Sequence, residues 1–439
     1  MPSRHPTAGV ADAPPPRGWA LRLVALAVTL VLCAWAAGCK RAPESAAAAT
    51  SQKPVRIATF APKSYDPGLL AEGGGRKIAE NCFEGLTARA ADGTPIPGLA
   101  ESWETSADGL TWTFELRAGL VWSDSQPLVA EDVVWSWRRY VDPSTGNPNA
   151  SMLDPLKNAG AITLGKAKAD TLGAVAESKT RLKVQLDRPD PDLPRRLATG
   201  YLAPSPRHAI EKHGADWTRP EHVVVSGAYT VAASKNDESI TLRKNPRYWA
   251  ADSVAVSDIV YRFTTDGSTA TQWYELGEVD FVDGLVPPEV AQDRRGKQDP
   301  ALRAIPFDGV FFLFPNTETG PLADARVRRA LDLAIDRGLL VRNVLSGGEK
   351  PAWSIVPGRM AGKGVPRARD LSAAKALLTE AGYGPEKPLT FTLSFNTNPK
   401  NSRVAEFLAR DLQEGIGAVV TLHNVEWGTF LTDLDAGRT

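Results

Sequence analysis

Two hydrophobic periods are interleaved along the whole chain, and this limits the fold more than any other feature. Thr111–Leu116 (TWTFEL) alternates strictly and sets Trp112, Phe114 and Leu116 on one side, which predicts a strand with one buried face. Ala130–Tyr140 follows with Val133, Val134, Trp137 and Tyr140 at three- and four-residue steps, which predicts a helix with an apolar stripe. Further strands are expected at Val55–Phe60, Arg181–Leu186, Ile240–Leu242, Ile259–Thr264, Leu389–Phe395 and Val419–Val425. Further helices are expected over Arg76–Gly85, Ser372–Ala381 and Arg403–Glu414, and after Asp324 as N-cap, with Gly382 as a C-cap. Strands and helices are about equally common, and no solenoid period or heptad repeat is present. A chain of 439 residues, roughly three times the usual domain length, is therefore read as a mixed α/β (α+β) protein of several lobes.

Composition narrows the function. Hydrophobic residues at 43% and charged residues at 23% are the balance of a globular protein with real cores. Lys+Arg and Asp+Glu tie at 51 each, so no overall field recruits nucleic acid, which is not an expected partner. Three cysteines exclude a disulfide scaffold, and five histidines argue against a histidine-built metal centre. Gly73-Gly74-Gly75 lacks the Gly-Lys-Ser/Thr of a phosphate loop, Gly358–Gly364 has the wrong spacing, and no Gly-x-Ser-x-Gly or His-Glu-x-x-His occurs. His208 and His213 lie off one helical face and read as polar surface. Asp187, Asp190 and Asp192 sit among prolines and read as a solvated turn. No catalytic residue, metal ligand or cofactor is assigned, and the chain is not expected to be an enzyme.

The N-terminus reads as an address. Arg4, Arg17 and Arg22 precede an apolar run, Leu23–Ala37, whose length suits the core of a secretory signal better than a bilayer span. The run ends at Ala36-Ala37-Gly38-Cys39. This resembles a bacterial lipoprotein processing site, although Ala36 stands where a large aliphatic residue is usual. The expectation is a signal peptide over 1–38, lipidation of Cys39, and a flexible tether over 39–54 that is too poor in apolar groups to fold. With Cys39 lipidated, Cys82 has no disulfide partner. No second apolar stretch approaches a membrane span.

One block is more specific. It comprises Ala100-Glu101-Ser102-Trp103, then Asp108-Gly109-Leu110-Thr111-Trp112-Thr113-Phe114-Glu115-Leu116-Arg117, Val121-Trp122-Ser123-Asp124, and Pro127 through Ser136. Phe83-Glu84-Gly85-Leu86, Ser226-Gly227-Ala228-Tyr229-Thr230, Asn245-Pro246 with Tyr248-Trp249, Asp324–Leu331, Ala381-Gly382-Tyr383 and Glu426-Trp427 continue the pattern in order. This resembles the extracellular solute-binding family 5, the large binding proteins of peptide ABC importers. The Trp-x-Phe strand and the helix around Asp132 are read as packing, Asp132 as an acid complementing a helix N-terminus, and Arg326 and Arg328 as a solvated or salt-bridged face.

The resemblance implies a periplasmic-binding-protein type II-like, multi-lobed fold with a ligand cleft between the lobes. It divides the chain into 55–83 and 206–308 as lobe I, 84–205 as lobe II, and 309–439 as lobe III. It implies a monomer, membrane-anchored in the periplasm, that captures oligopeptides and serves ABC permease and ATPase subunits. A peptide would be held as an added strand beside Ala71, Glu72 and Gly73, with Trp427 walling a side-chain pocket. Relatives carry dipeptides, murein peptides, nickel, haem or sugars. The oligopeptide binder's Gly-Trp-x-Ala-Asp-Tyr motif, whose aspartate fixes the peptide amino terminus, would fall just beyond Thr439. Lobe III is thus expected to be incomplete, which also admits an inactive, truncated fragment or a role outside transport.

Overall fold

A computed structural model describes residues 53–71, 73–235, 237–305, 309–345, 347–357 and 364–435, apart from the side chains of 428, 431, 432 and 435. The expected signal peptide, Cys39, nearly all of the tether and Glu72 lie outside the described residues.

A five-stranded sheet has the order Phe281–Val282, Val55–Thr59, Asp258–Phe263, Ser239–Lys244, Tyr229–Lys235. Val55–Thr59 lies parallel to both of its neighbours, with Ile57 opposite Tyr261 on one side and Phe281 on the other. The other two strands form an antiparallel meander. Alternation buries Ile259, Tyr261 and Phe263 on one face, where they meet Leu242, Trp217, Phe83 and Ile78. Ile78, Ala79 and Cys82 are supplied by the helix Gly73–Cys82.

A four-stranded antiparallel sheet, ordered Ala100–Thr105, Thr111–Leu116, Arg181–Gln185, Ala174–Ala176, carries a separate core. Trp112, Phe114 and Leu116 point inward as the alternation requires, and the helix Ala130–Val141 packs Val133, Val134, Trp137 and Tyr140 into the same core. Two of its large aromatics have satisfied polar tips, Trp137 Nε1 donating to the Leu202 carbonyl at 3.0 Å and Tyr140 Oη to that of Ala203 at 2.6 Å, whereas the buried Nε1 atoms of Trp112 and Trp122 find no hydrogen-bond partner among the described residues. The Asp132 carboxylate accepts the Val129 N–H at 2.8 Å at the helix start. Burial pushes Asp132 up from the usual carboxylate range, against that hydrogen bond.

The third core is built from the helices Ala325–Ala334, Leu371–Glu380 and Pro399–Ile416 around two parallel strands, Thr390–Asn396 and Val419–Val425. Asp324 caps the first helix through the Arg326 N–H, and Gly382 adopts φ 85° just past the second. Arg326 pairs with Asp324 at 2.6 Å, as a salt-bridged face requires, whereas Arg328 donates instead to the main-chain carbonyls of Leu322 and Ala323. Phe311, Phe312 and Phe314 are exposed, as is Val419 on the thin parallel sheet. Among the described residues no helix is long and apolar enough to cross a membrane.

Two boundaries depart from expectation. The helix expected over Arg76–Gly85 runs from Gly73 to Cys82, because the Cys82 carbonyl takes the Gly227 N–H at 2.8 Å and the chain turns away there. The helix expected over Arg403–Glu414 runs from Pro399 to Ile416, since Asn398 caps it through Lys400 N–H and Gly417 closes it at φ 70°.

Candidate functional site

The turn before the expected ligand-binding segment is anchored by one buried carboxylate. Asp66 is 1% exposed and accepts the Gly68 N–H at 2.9 Å, closing the turn that Pro67 begins. Its two oxygens take a fork from Arg139 at 3.0 and 2.6 Å, and Trp217 Nε1 donates to it at 3.1 Å. Arg139 comes from the helix Ala130–Val141 and Trp217 from the turn Gly214–Thr218, so Asp66 joins the first two cores through a charge-assisted pair. Gly68 is required here: a Cβ would lie 2.7 Å from Arg139 Nη1 and 2.9 Å from the Tyr140 ring. Asn149 donates to the Leu70 carbonyl, holding the next residues from the same side. The chain therefore enters Ala71 already fixed in direction.

Ala71 and Gly73 are both exposed. Gly73 is the first residue of a helix, so the extended pairing strand expected across 71–73 does not continue to Gly73. That helix is tied down by Lys77, which reaches Asp283 at 2.5 Å and Thr59 Oγ1 at 3.3 Å. Trp427 opens the helix Trp427–Asp435, is 37% exposed, and stacks on Phe430 at 5.9 Å between centroids. Its neighbour Glu426 pairs with Lys63 at 3.7 Å, just ahead of the Asp66 turn. The structure thus brings the Glu426-Trp427 pair toward the segment that leads into Ala71. Arg403 pairs with Glu289 at 3.4 Å, and Arg295 donates to the Gly347 carbonyl at 2.5 Å, so the same two regions also meet elsewhere.

A second cluster collects residues from five of the sequence blocks. The half-buried Glu84 carboxylate accepts Tyr248 Oη at 2.6 Å and Trp249 Nε1 at 2.5 Å. Arg117 lies 3.6 Å above the Trp249 ring and donates to the Gly98 carbonyl at 2.8 Å. The Glu84 N–H is taken by Ser226 Oγ at 3.2 Å, Ser123 exchanges hydrogen bonds with Val225, and Asn245 Nδ2 donates to the Gly227 carbonyl at 2.9 Å. Gly227 sits so close to the helix end that a Cβ would be 2.7 Å from the Cys82 carbonyl carbon. Burial pushes Glu84 above its ordinary value, opposed by the two donors and by the Arg117 charge. These blocks build the crossing between two cores. Sequence reading missed that role because the blocks that meet there are spread over 165 residues of chain, from Glu84 to Trp249.

Other candidates do not assemble into a reactive centre. His208 Nε2 meets Asp124 at 2.9 Å, while His213 stacks on His222 at 3.8 Å. Asp190 pairs with Arg196 at 3.0 Å, and Asp187 accepts the Asn158 N–H. Cys82 is fully buried, and burial pushes its thiol up, away from the reactive thiolate. Among the described residues no three His, Cys, Asp or Glu side chains gather as a metal would require. The organised features are junctions between cores and the exposed segments beside them.

Comparison with known proteins assigns this architecture to a family. Residues 94–439 match the family described as bacterial extracellular solute-binding proteins, family 5 (middle). The chain belongs to this family. Among family 5 relatives it is 33% identical over 414 residues to the periplasmic oligopeptide-binding protein of Salmonella typhimurium, covering 92% of this chain and 76% of that protein. It is 37% identical over 389 residues to a probable deoxycholate-binding periplasmic protein of Escherichia coli, covering 86% and 72%. The murein tripeptide binding protein of Escherichia coli superposes with a TM-score of 0.80 at 33% identity, over 88% of this chain and 77% of that one. The same protein in its unliganded open form superposes with a TM-score of 0.64 over 88% and 76%. The family 5 fold, mixed α/β and lobed as the sequence implied, is shared along nearly all of the described chain.

Proposed function

We propose that this protein is the substrate-binding component of an ABC importer that captures oligopeptides in the periplasm and delivers them to a membrane permease with its ATPase subunits. The observation that carries the reading is the 33% identity to an oligopeptide binder across 92% of this chain. Residues 55–83 and 206–308 form lobe I, 84–205 lobe II and 309–439 lobe III, a division supported by three separate hydrophobic cores. The peptide lies beside Ala71, Glu72 and Gly73, with Trp427 on the cleft wall. The exposure of Ala71, Gly73 and Trp427 and the nearby Lys63–Glu426 pair support that placement. The lower TM-score against the unliganded open form of a relative supports a lobe arrangement different from that open form.

The signal peptide spans 1–38, Cys39 carries a lipid, and 39–54 tethers a monomer to the membrane. An apolar run ending in small residues before a cysteine supports this. Binding is stoichiometric, with no chemistry on the ligand.

A second reading follows from the 37% identity to a probable deoxycholate binder: an amphipathic steroid carboxylate in place of a peptide. Calorimetric titration of the purified chain with a defined mixture of tri- to pentapeptides and, separately, with deoxycholate distinguishes the two. Peptide heats saturating near one equivalent, with none for deoxycholate, are expected. The reverse pattern would replace the proposal.

A further inference from the structure

A cationic recess lies on the third core, apart from the segments described above. It is a cavity of about 520 Å³ lined by Arg329, Asp332, Leu333 and Arg367. Arg329, Asp332 and Leu333 share the helix Ala325–Ala334, and Arg367 lies in the segment leading to the helix Leu371–Glu380. Both Asp332 oxygens are engaged, one by Arg337 and the other by Arg367. Arg337 also donates to the Asp332 main-chain carbonyl at 2.8 Å and lies 5.0 Å from the Trp353 ring, so it is held from three directions. Asp332 thus neutralises at most one of two guanidinium groups. Arg329 reaches no carboxylate or carbonyl among the described residues. Two guanidinium groups against one carboxylate leave the recess lining with a net charge of +1.

We propose that this recess binds a phosphate group. Guanidinium forks match the oxygens of a phosphate two at a time, and Arg329 and Arg367 offer two such forks across one cavity. A phosphate monoester is anionic at neutral pH and presents three acceptor oxygens, enough to meet a guanidinium on each side of the cavity at once, whereas a carboxylate presents two. Leu333 supplies an apolar wall for the carbon that bears the ester. Asp332 is a positioning residue: it fixes Arg367 so that the second fork faces the cavity. The phosphate can come from a free ester in the periplasm or from a phospholipid headgroup at the membrane surface.

The test is the melting temperature of the full chain in chloride buffers of matched ionic strength. Added ligands are inorganic phosphate, glycerol phosphate, and a short-chain phosphatidylglycerol below its micelle concentration, each at about 10 mM. A site of submillimolar affinity raises the transition by about 2–4 °C. Arg329→Gln and Arg367→Gln should each abolish the rise while leaving peptide titration unchanged, which also shows that the variants fold. A rise with the lipid alone assigns the headgroup as the source, and a rise with the soluble phosphates alone assigns a free ester. No rise with any of the three, or a rise that survives both substitutions, overturns the site. Failure here leaves peptide capture untouched, because peptide binding is read separately in the same variants.

Discussion

The junction between the first two cores and the contact between them and the third differ in kind. The first is held by convergent polar groups: the buried Asp66 with Arg139 and Trp217, and the half-buried Glu84 with Tyr248 and the exposed Trp249 beneath Arg117. The second includes ion pairs between exposed side chains, Lys63 with Glu426 and Arg403 with Glu289, whose four side chains are 49–65% exposed. A buried, fully paired charge is costly to separate, whereas an exposed pair in water contributes about 0–1 kcal/mol. Residues 55–305 should therefore behave as one rigid body, and movement relative to it should be concentrated at 309–435. A ligand cleft that opens and closes belongs at the weaker of the two contacts.

The sharpest way to break this comparison is at Asp66. Asp66→Ala leaves Arg139, whose side chain is 17% exposed, without its anion, and a loss of about 3–5 kcal/mol is expected in urea unfolding. A loss below 1 kcal/mol would mean that the first junction is no firmer than the second. Gly227→Ala forces a methyl against the Cys82 backbone, and about 1–3 kcal/mol should be lost by the same measurement.

Glu84 sharpens the comparison through pH. Its raised value means that the folded state holds the proton more tightly than the unfolded chain. Its contribution is therefore fully present below the ordinary glutamate range and is lost as pH rises through the raised folded value. The stability of the wild type relative to Glu84→Gln should grow as pH is lowered across that window. A flat difference would show that burial does not control this carboxylate. The smallest effect is expected from Arg403→Glu: a change within about 1 kcal/mol, fading at high salt and reversed by adding Glu289→Arg.

Periodicity made the local elements legible. The alternation of TWTFEL placed Trp112, Phe114 and Leu116 inward before any partner strand was known, and Asp324 marked its helix start by capping chemistry alone. Pairings were not legible. Val55–Thr59 joins Asp258–Phe263 in parallel across some two hundred residues, and no local signal carries that register. At Asp66-Pro67 the sequence signals a turn, yet it cannot show that Arg139 and Trp217 close over the carboxylate. Gly73 looked like a place for close strand approach, but the glycine run starts a helix whose buried face is Ile78, Ala79 and Cys82. Ala71 and Trp427 are exposed, while Arg139 and Asn149, which hold the segment leading into Ala71, lie far away in the chain.

The most direct test of the account is a pair of spin-label distances measured with and without the peptide mixture. Cysteines at the exposed positions Glu101→Cys and Asp252→Cys report on the first junction, and Asp252→Cys with Glu380→Cys reports on the second, with Cys33 and Cys39 replaced by serine. The expected result is an unchanged 101–252 distance and a 252–380 distance that shifts and narrows when peptide is added. A 101–252 distance that moves, or a 252–380 distance that does not respond to peptide, would contradict the account.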